Sequence, residues 1–282
     1  MEGVDDKVKY LKKNKIVEPE VVSAMHQHFL KTYKKKRNKV RIAQWSIFVA
    51  FFILWEISTR LGWLNSFIFS SPSRVIKTIT QMARDGSLFY HTGITLLETF
   101  ISFALVIFLG LLIAILLWWN DTASKICEPY LVILNSLPKT ALAPIFIVWL
   151  GNNMKTIIVA AVSVAVFGSI ITLYTNFKSV EEDKMKLIYT FGGTKRDVLF
   201  KIVLPSNIPA IISVMKVNIG LSLVGVIIGE FLAAKAGLGY LIIYGSQVFK
   251  LDWVIMSIVI LCIVATGLYS ILNYVEKRVR RS

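Results

Sequence analysis

The chain has 282 residues, of which 55% are hydrophobic, with a mean hydropathy of +0.64 and a formal net charge of +15. Several apolar runs approach the roughly 20 residues that cross a bilayer as helix, which excludes a soluble globular chain and specifies an all-α polytopic membrane protein. A cationic excess of this size would suggest nucleic acid in a soluble protein; in a membrane protein the position of each charge carries the information.

The first forty or so residues are polar and lack the short apolar core of a cleaved secretory signal, so the first span would act as an uncleaved one. Between Glu18 and Tyr33, residues Val21, Val22, Met25, Phe29 and Tyr33 recur at helical spacing, and Pro19 suits a first-turn position. This predicts an amphipathic helix on the inner leaflet within a cytoplasmic, basic region 1–41, and the following KKKRNKVR run favours anionic headgroups. His26 and His28 form an HxH pair with no Cys or acidic cluster beside it, and no metal site is expected.

Six spans follow in the transmembrane region 42–282: Ile42 to Leu61, Gly93 to Trp119, Pro129 to Leu150, Met154 to Thr175, Ser206 to Ala233, and Trp253 to Tyr274. Trp45, Trp63, Trp118, Trp119 and Trp253 fall near span ends, as interfacial aromatics do. In the first span Glu56 and Arg60 stand four apart in the order that favours a structural pair. Pro138 and Pro144 should kink or break the third. Cys127 and Cys262 form no ligand or disulfide pattern and read as packing residues.

Between the fourth and fifth spans lies a charged loop, 176–205, holding a double glycine. Val180 to Thr190 suits a helix, Gly192 and Gly193 permit the positive backbone angles of a sharp reversal, and Thr194 with Asp197 has the spacing of a capping box. The loop is therefore a helix, a tight turn and a helix, with Pro205 ending the second helix at the membrane surface. After the fifth span, AAKAGLGYLIIYGSQVFKLD is too short to cross the bilayer, and Gly237 and Gly239 support a turn into a small re-entrant helix.

An even number of spans puts both termini on one side. The termini with segments 120–128 and 176–205 carry 23 Lys and Arg, against 5 in the opposite loops, so termini and double-glycine loop face the cytoplasm. Inside the spans, each ionisable residue costs on the order of 3 kcal/mol unless paired or wet. Lys216 and Glu230, fourteen apart, return to within about 40° of one helix face. With Lys139 and Glu98, they are the candidates for a polar pathway or for internal salt bridges.

The loop carries more than local structure. Its glycine Gly192, with Ile202, Leu204 and Pro205, matches the signature Glu-Ala-Ala, three residues, Gly, nine residues, Ile, one residue, Leu-Pro, although Lys186, Leu187 and Ile188 stand at the Glu-Ala-Ala positions. The chain resembles the permease subunits of bacterial ATP-binding cassette importers. Similarity extends through SSPSRVI, LNSLPKTALAPIFIVWLG, FGGTKRDVLFKIVLPSNIP and VIIGEFLAAKAGLGYLI, and is to the branch importing nitrate, alkanesulfonates, taurine and some vitamin precursors.

The resemblance implies a type I importer permease fold with a core at about 90–275, in the bacterial inner membrane. It implies two copies forming a pathway, two separate ATPase subunits beneath, and an extracytoplasmic solute-binding protein. No G-x-x-x-x-G-K-[ST] loop occurs in the chain, so ATP and Mg would be bound by the partner and no cofactor or catalytic residue is expected here. By position, Tyr189, Thr190, Phe191, Gly192, Gly193, Thr194, Lys195 and Arg196 become the ATPase contacts, with Leu204 and Pro205 completing the signature. The cargo implied is a small anion such as a sulfonate, nitrate or taurine, or alternatively a pyrimidine or flavin. Other readings are an ion-coupled carrier using Glu98, Glu230 and Lys216, for which the sequence shows no inverted repeat, a membrane scaffold, and a structural hairpin in the loop. A nucleic-acid element at Lys195 and Arg196 has no freedom to enter a groove.

Overall fold

The computed structural model describes residues 19–279, which form helices and turns with no strand among them. Residues 1–18 lie outside the described set, as do the side chains of Val21, Val22, Met25 and His28, so the expected apolar stripe and HxH pair fall largely outside it. The chain divides into two units, Met1–Leu64 and Asn65–Ser282.

In the first unit α1 (Pro19–Arg60) is one helix of 42 residues, opened by Pro19. The expected surface helix and first span are continuous because no Gly or Pro follows Pro19 until Gly62, where φ is +75°. At 1.5 Å per residue it is about 63 Å long, and only Asn38–Arg60 is apolar enough to span. Arg60 Nε meets Glu56 Oε1 at 2.7 Å, as the spacing predicts.

The second unit begins with α2 (Ser66–Phe69) and α3 (Pro72–Arg84). The long α4 (Ser87–Trp119) leads into α5 (Asp121–Ser136), α6 (Lys139–Leu150) and α7 (Met154–Lys178). An elbow follows: α8 (Glu182–Thr190), α9 (Lys195–Val198), a π-helical turn (Leu199–Val203) and α10 (Leu204–Ser206). The chain closes with α11 (Ile208–Ala233), α12 (Leu238–Gln247) and α13 (Leu251–Val279).

Five helices are long and apolar enough to span, and six if α5 and α6 count as one broken span. The third span, Pro129 to Leu150, is broken as its prolines predict: α5 and α6 meet at 94°. Leu137 is extended with ψ 140°, as a residue before proline prefers, so Pro138 makes the break. Pro144 sits just past the first turn of α6, where its missing donor costs a single intrahelical bond, and the helix continues.

The core is built where α7 packs on α4 and α11. Small residues let the backbones approach: a Cβ on Gly225 would lie 2.6 Å from Ala161 Cα, and one on Gly229 2.9 Å from Ile157 Cα. Buried hydroxyls and amides inside these helices bond back to their own carbonyls, as Thr99 does to Thr95 O (2.7 Å) and Asn218 to Val214 O (2.8 Å).

The SSPSRVI segment ties α3 to α13. Ser71 caps α3, Pro72 is its first residue, and Ser70, held at φ +53°, donates its hydroxyl to Asp252 Oδ1 at 2.5 Å. Arg74 Nη2 meets the other carboxylate oxygen of Asp252 at 2.8 Å. Asp252 lies in the first turn of α13, where the helix dipole favours a negative charge.

Candidate functional site

The elbow turns on two glycines that serve different ends. Gly192 has φ +78°, a left-handed conformation that closes α8. Gly193 does not share it, which corrects the expectation of positive angles at both. Its role is space, since a Cβ there would stand 2.5 Å from Ile188 Cγ2 and 2.9 Å from Ile188 O.

The capping box forms as the spacing predicts: Asp197 N donates to Thr194 Oγ1 (3.4 Å) and Thr194 N to Asp197 Oδ2 (2.9 Å). Lys201 Nζ reaches Asp197 Oδ1 at 2.8 Å. That hydrogen bond, with those from Thr194, holds the Asp197 carboxyl below the usual carboxylate range.

Pro205 does not end the second helix, a further correction. The backbone widens to i→i+5 bonding over Leu199–Val203 and continues through Pro205 in α10 to a turn at Asn207, because the wide register accommodates the ring that an ordinary turn would reject.

The two sides of the elbow differ sharply. Val198, Leu199 and Val203 are buried in the cluster formed by Ala114 and Leu117 of α4 with Ile170, Leu173 and Phe177 of α7. Phe191 at the tip is 81% exposed, and Leu187 and Tyr189 are exposed beside it. Lys195 Nζ donates to Trp119 O at 2.8 Å, at the carbonyl end of α4, and lies 5.4 Å from the Trp118 ring centroid. An exposed aromatic tip is thus carried on a base embedded in the bundle.

At the opposite end of the bundle, side chains hold the start of α12. Glu230 Oε1 accepts from Thr95 Oγ1 (2.7 Å), and Oε2 accepts from the Gly239 amide (2.5 Å). The Leu238 amide donates to Thr95 Oγ1 (2.8 Å) and the Gly237 amide to His91 Nδ1 (3.0 Å). A carboxylate at a helix N-terminus meets both unpaired amides and the positive end of the dipole. This accounts for GLG: Gly237 takes φ +119°, and a Cβ on Gly239 would lie 2.7 Å from Glu230 Oε2. The small helix expected after the fifth span is α12.

Of the sequence-picked polar residues, Glu98 and Glu230 come together, one turn of α4 bringing Glu98 beside the Thr95 contact. Lys216 goes elsewhere. Its Nζ meets Glu276 Oε2 at 2.5 Å and Asn273 Oδ1 at 3.3 Å, both on α13, and lies 5.3 Å from the Tyr269 ring centroid. Lys139 turns back to the Asn135 carbonyl across the α5–α6 break. Although Lys216 and Glu230 share a stripe, that stripe meets α13 near one end of α11 and α4 and α12 near the other.

His91, Thr95 and Glu276 were not singled out by sequence reasoning. His91, Thr95 and Glu98 at four- and three-residue spacing form a polar stripe on an apolar helix, a legible pattern. Glu276 reads instead as part of a charged tail. Among the described residues no three His, Cys, Asp or Glu side chains gather to hold a metal.

The Lys216–Glu276 pair is mostly buried, and removing one partner takes this close contact from the other charge. Lys216→Met should therefore lower thermal stability by about 3 kcal/mol, with most of the loss recovered in Lys216→Met/Glu276→Gln. Equal stability of single and double variants would show that the pair is not coupled.

Residues 106–281 match the family model for the binding-protein-dependent transport system inner membrane component. The chain belongs to this family. It is similar to the formylaminopyrimidine transport permease protein ThiX of Halalkalibacterium halodurans, with 31% identity over 205 residues, covering 73% of this chain and 81% of that one. It is also similar to the taurine transport system permease protein TauC of Escherichia coli, with 20% identity over 260 residues, 90% of this chain and 94% of the relative. Among solved structures, an inward-facing MetNI methionine ABC transporter has a TM-score of 0.60 at 18% identity, covering 68% of this chain and 95% of that one. The fold is that of a type I ABC importer permease, and the protein is a multi-pass transport permease, not an enzyme.

Proposed function

We propose that this permease is the membrane-spanning subunit of an ATP-driven importer, with two copies forming the solute pathway. Two separate ATPase subunits bind and hydrolyse ATP with Mg, and a solute-binding protein delivers cargo at the other face. The observation that carries this reading is the two-sided elbow, with Phe191 exposed and Val198 and Val203 fully buried. Such a part accepts force on one side and passes it to the helices on the other.

In this reading Tyr189 to Arg196 contact the ATPase, while Leu204 and Pro205 shape the return into α11. The elbow and both termini face the cytoplasm, supported by the Lys and Arg distribution. Glu98, Glu230, Lys139 and Lys216 are the polar groups offered to the pathway. The cargo is a small organic solute: the taurine relative supports a sulfonate, and the formylaminopyrimidine relative a vitamin precursor.

The test is reconstitution in sealed vesicles with the ATPase and binding protein. Accumulation should require ATP and all three components, and accumulation by the permease alone under an ion gradient would replace this reading with a secondary carrier.

A further inference from the structure

The two buried carboxyl groups near the start of α12 are not equivalent. Glu230 is fully engaged, accepting from Thr95 and the Gly239 amide and anchoring a helix. Glu98 is 2% exposed and within reach of Glu230, yet its Oε2 has no hydrogen-bond partner. Burying an acceptor that nothing satisfies costs free energy without any structural return.

Glu98 also lines a cavity of about 370 Å³ formed by Ile94 and Leu97 of α4, Asn152 and Asn153 before α7, and Ala234 and Lys235 after α11. The wall is mostly apolar, Glu98 is its one acidic residue, and Lys235 is exposed at the rim. The helix directions put this cavity at the end of the bundle away from the elbow. A solute meets that end first if the elbow faces the cytoplasm.

We propose that this cavity is a recognition subsite for a small organic solute bearing an N–H-rich group, whose hydrogen bond the Glu98 carboxyl accepts. The inference rests on the importer reading and narrows its cargo to amine-bearing solutes, sulfonates carrying an amino group included.

The test uses probes matched in skeleton: taurine against isethionate, which has a hydroxyl where taurine has its amine, and 4-aminopyrimidine against pyrimidine. Binding to the permease purified with its ATPase subunits is followed by ligand-induced thermal shift. The amine member of at least one pair should bind about tenfold or more tightly than its match, and Glu98→Leu, which removes the acceptor, should abolish that preference. Glu98→Gln keeps an acceptor and the contact with Glu230 and should retain the preference, whereas a preference that survives Glu98→Leu would overturn the proposal. Equal binding within both pairs by the unaltered permease would overturn it too. As a second variant, Ala234→Leu fills the cavity and should weaken the amine member, and undiminished binding would place the site elsewhere. Failure of the ATPase subunits to co-purify would fell the importer reading while the permease alone could still be scored for binding.

Discussion

Gly225→Val should yield almost no folded permease in the membrane. The added Cβ would stand 2.6 Å from Ala161 Cα and 3.1 Å from Ala161 O, so a backbone, not a movable side-chain end, blocks it. Helices α7 and α11 must then separate along the seam that also holds Ile157, Val226 and Ala233. Overpacking of this kind costs on the order of 3 kcal/mol or more, and no hydrophobic gain offsets it, because lipid solvates the parted faces as well as the protein does. The measurements are yield of monodisperse protein in detergent and its thermal midpoint. Gly220→Ala is the control, since nothing lies within 4 Å of a Cβ there. A Gly225→Val midpoint equal to that of the unaltered chain would mean that the two helices do not touch at this depth.

The second large effect concerns assembly and leaves the fold alone. Phe191→Ala should not change the permease's own midpoint, since a side chain 81% exposed gives up little burial when truncated. Co-purification of the ATPase should nevertheless collapse. An aromatic anchor at the centre of an interface is worth about 2–4 kcal/mol, or roughly thirtyfold to a thousandfold in affinity. Undiminished pull-down of the ATPase by Phe191→Ala would remove the elbow tip from the interface. Loss of pull-down together with a lowered midpoint would instead mean that Phe191 supports the fold.

Much of this architecture is legible in the residues themselves. The spans are written in hydropathy, and the capping box in the offset from Thr194 to Asp197. The ion pair of α1 is written in the four-residue step from Glu56 to Arg60. Local rules give these because the partners are neighbours in sequence. What escapes is long-range or a matter of backbone register. Asp252 meets Ser70 and Arg74 across 182 and 178 residues, and nothing near any of the three announces it. Pro205 looks like a terminator because the rule assumes an ordinary helical register, and the π turn before it removes that assumption. Gly193 looks like a partner of Gly192 in a reversal, while its true constraint is the Ile188 side chain. The candidate site was half visible: Glu98 and Glu230 stand out as acids in apolar helices, but only packing shows that Glu230 anchors α12 while Glu98 beside it keeps one oxygen without a partner.

The wide turn at Leu199–Val203 also sets how motion divides. From Lys195 to Ala233 helical bonding lapses only at Asn207, so the second limb of the elbow and α11 form one bent strut. The first limb hangs from α7 on the three-residue joint Ser179–Glu181. A displacement of the tip is therefore carried along the chain by α11, toward Lys216 and the Glu230 clamp, and reaches α7 sideways through the packing of Val198, Leu199 and Val203.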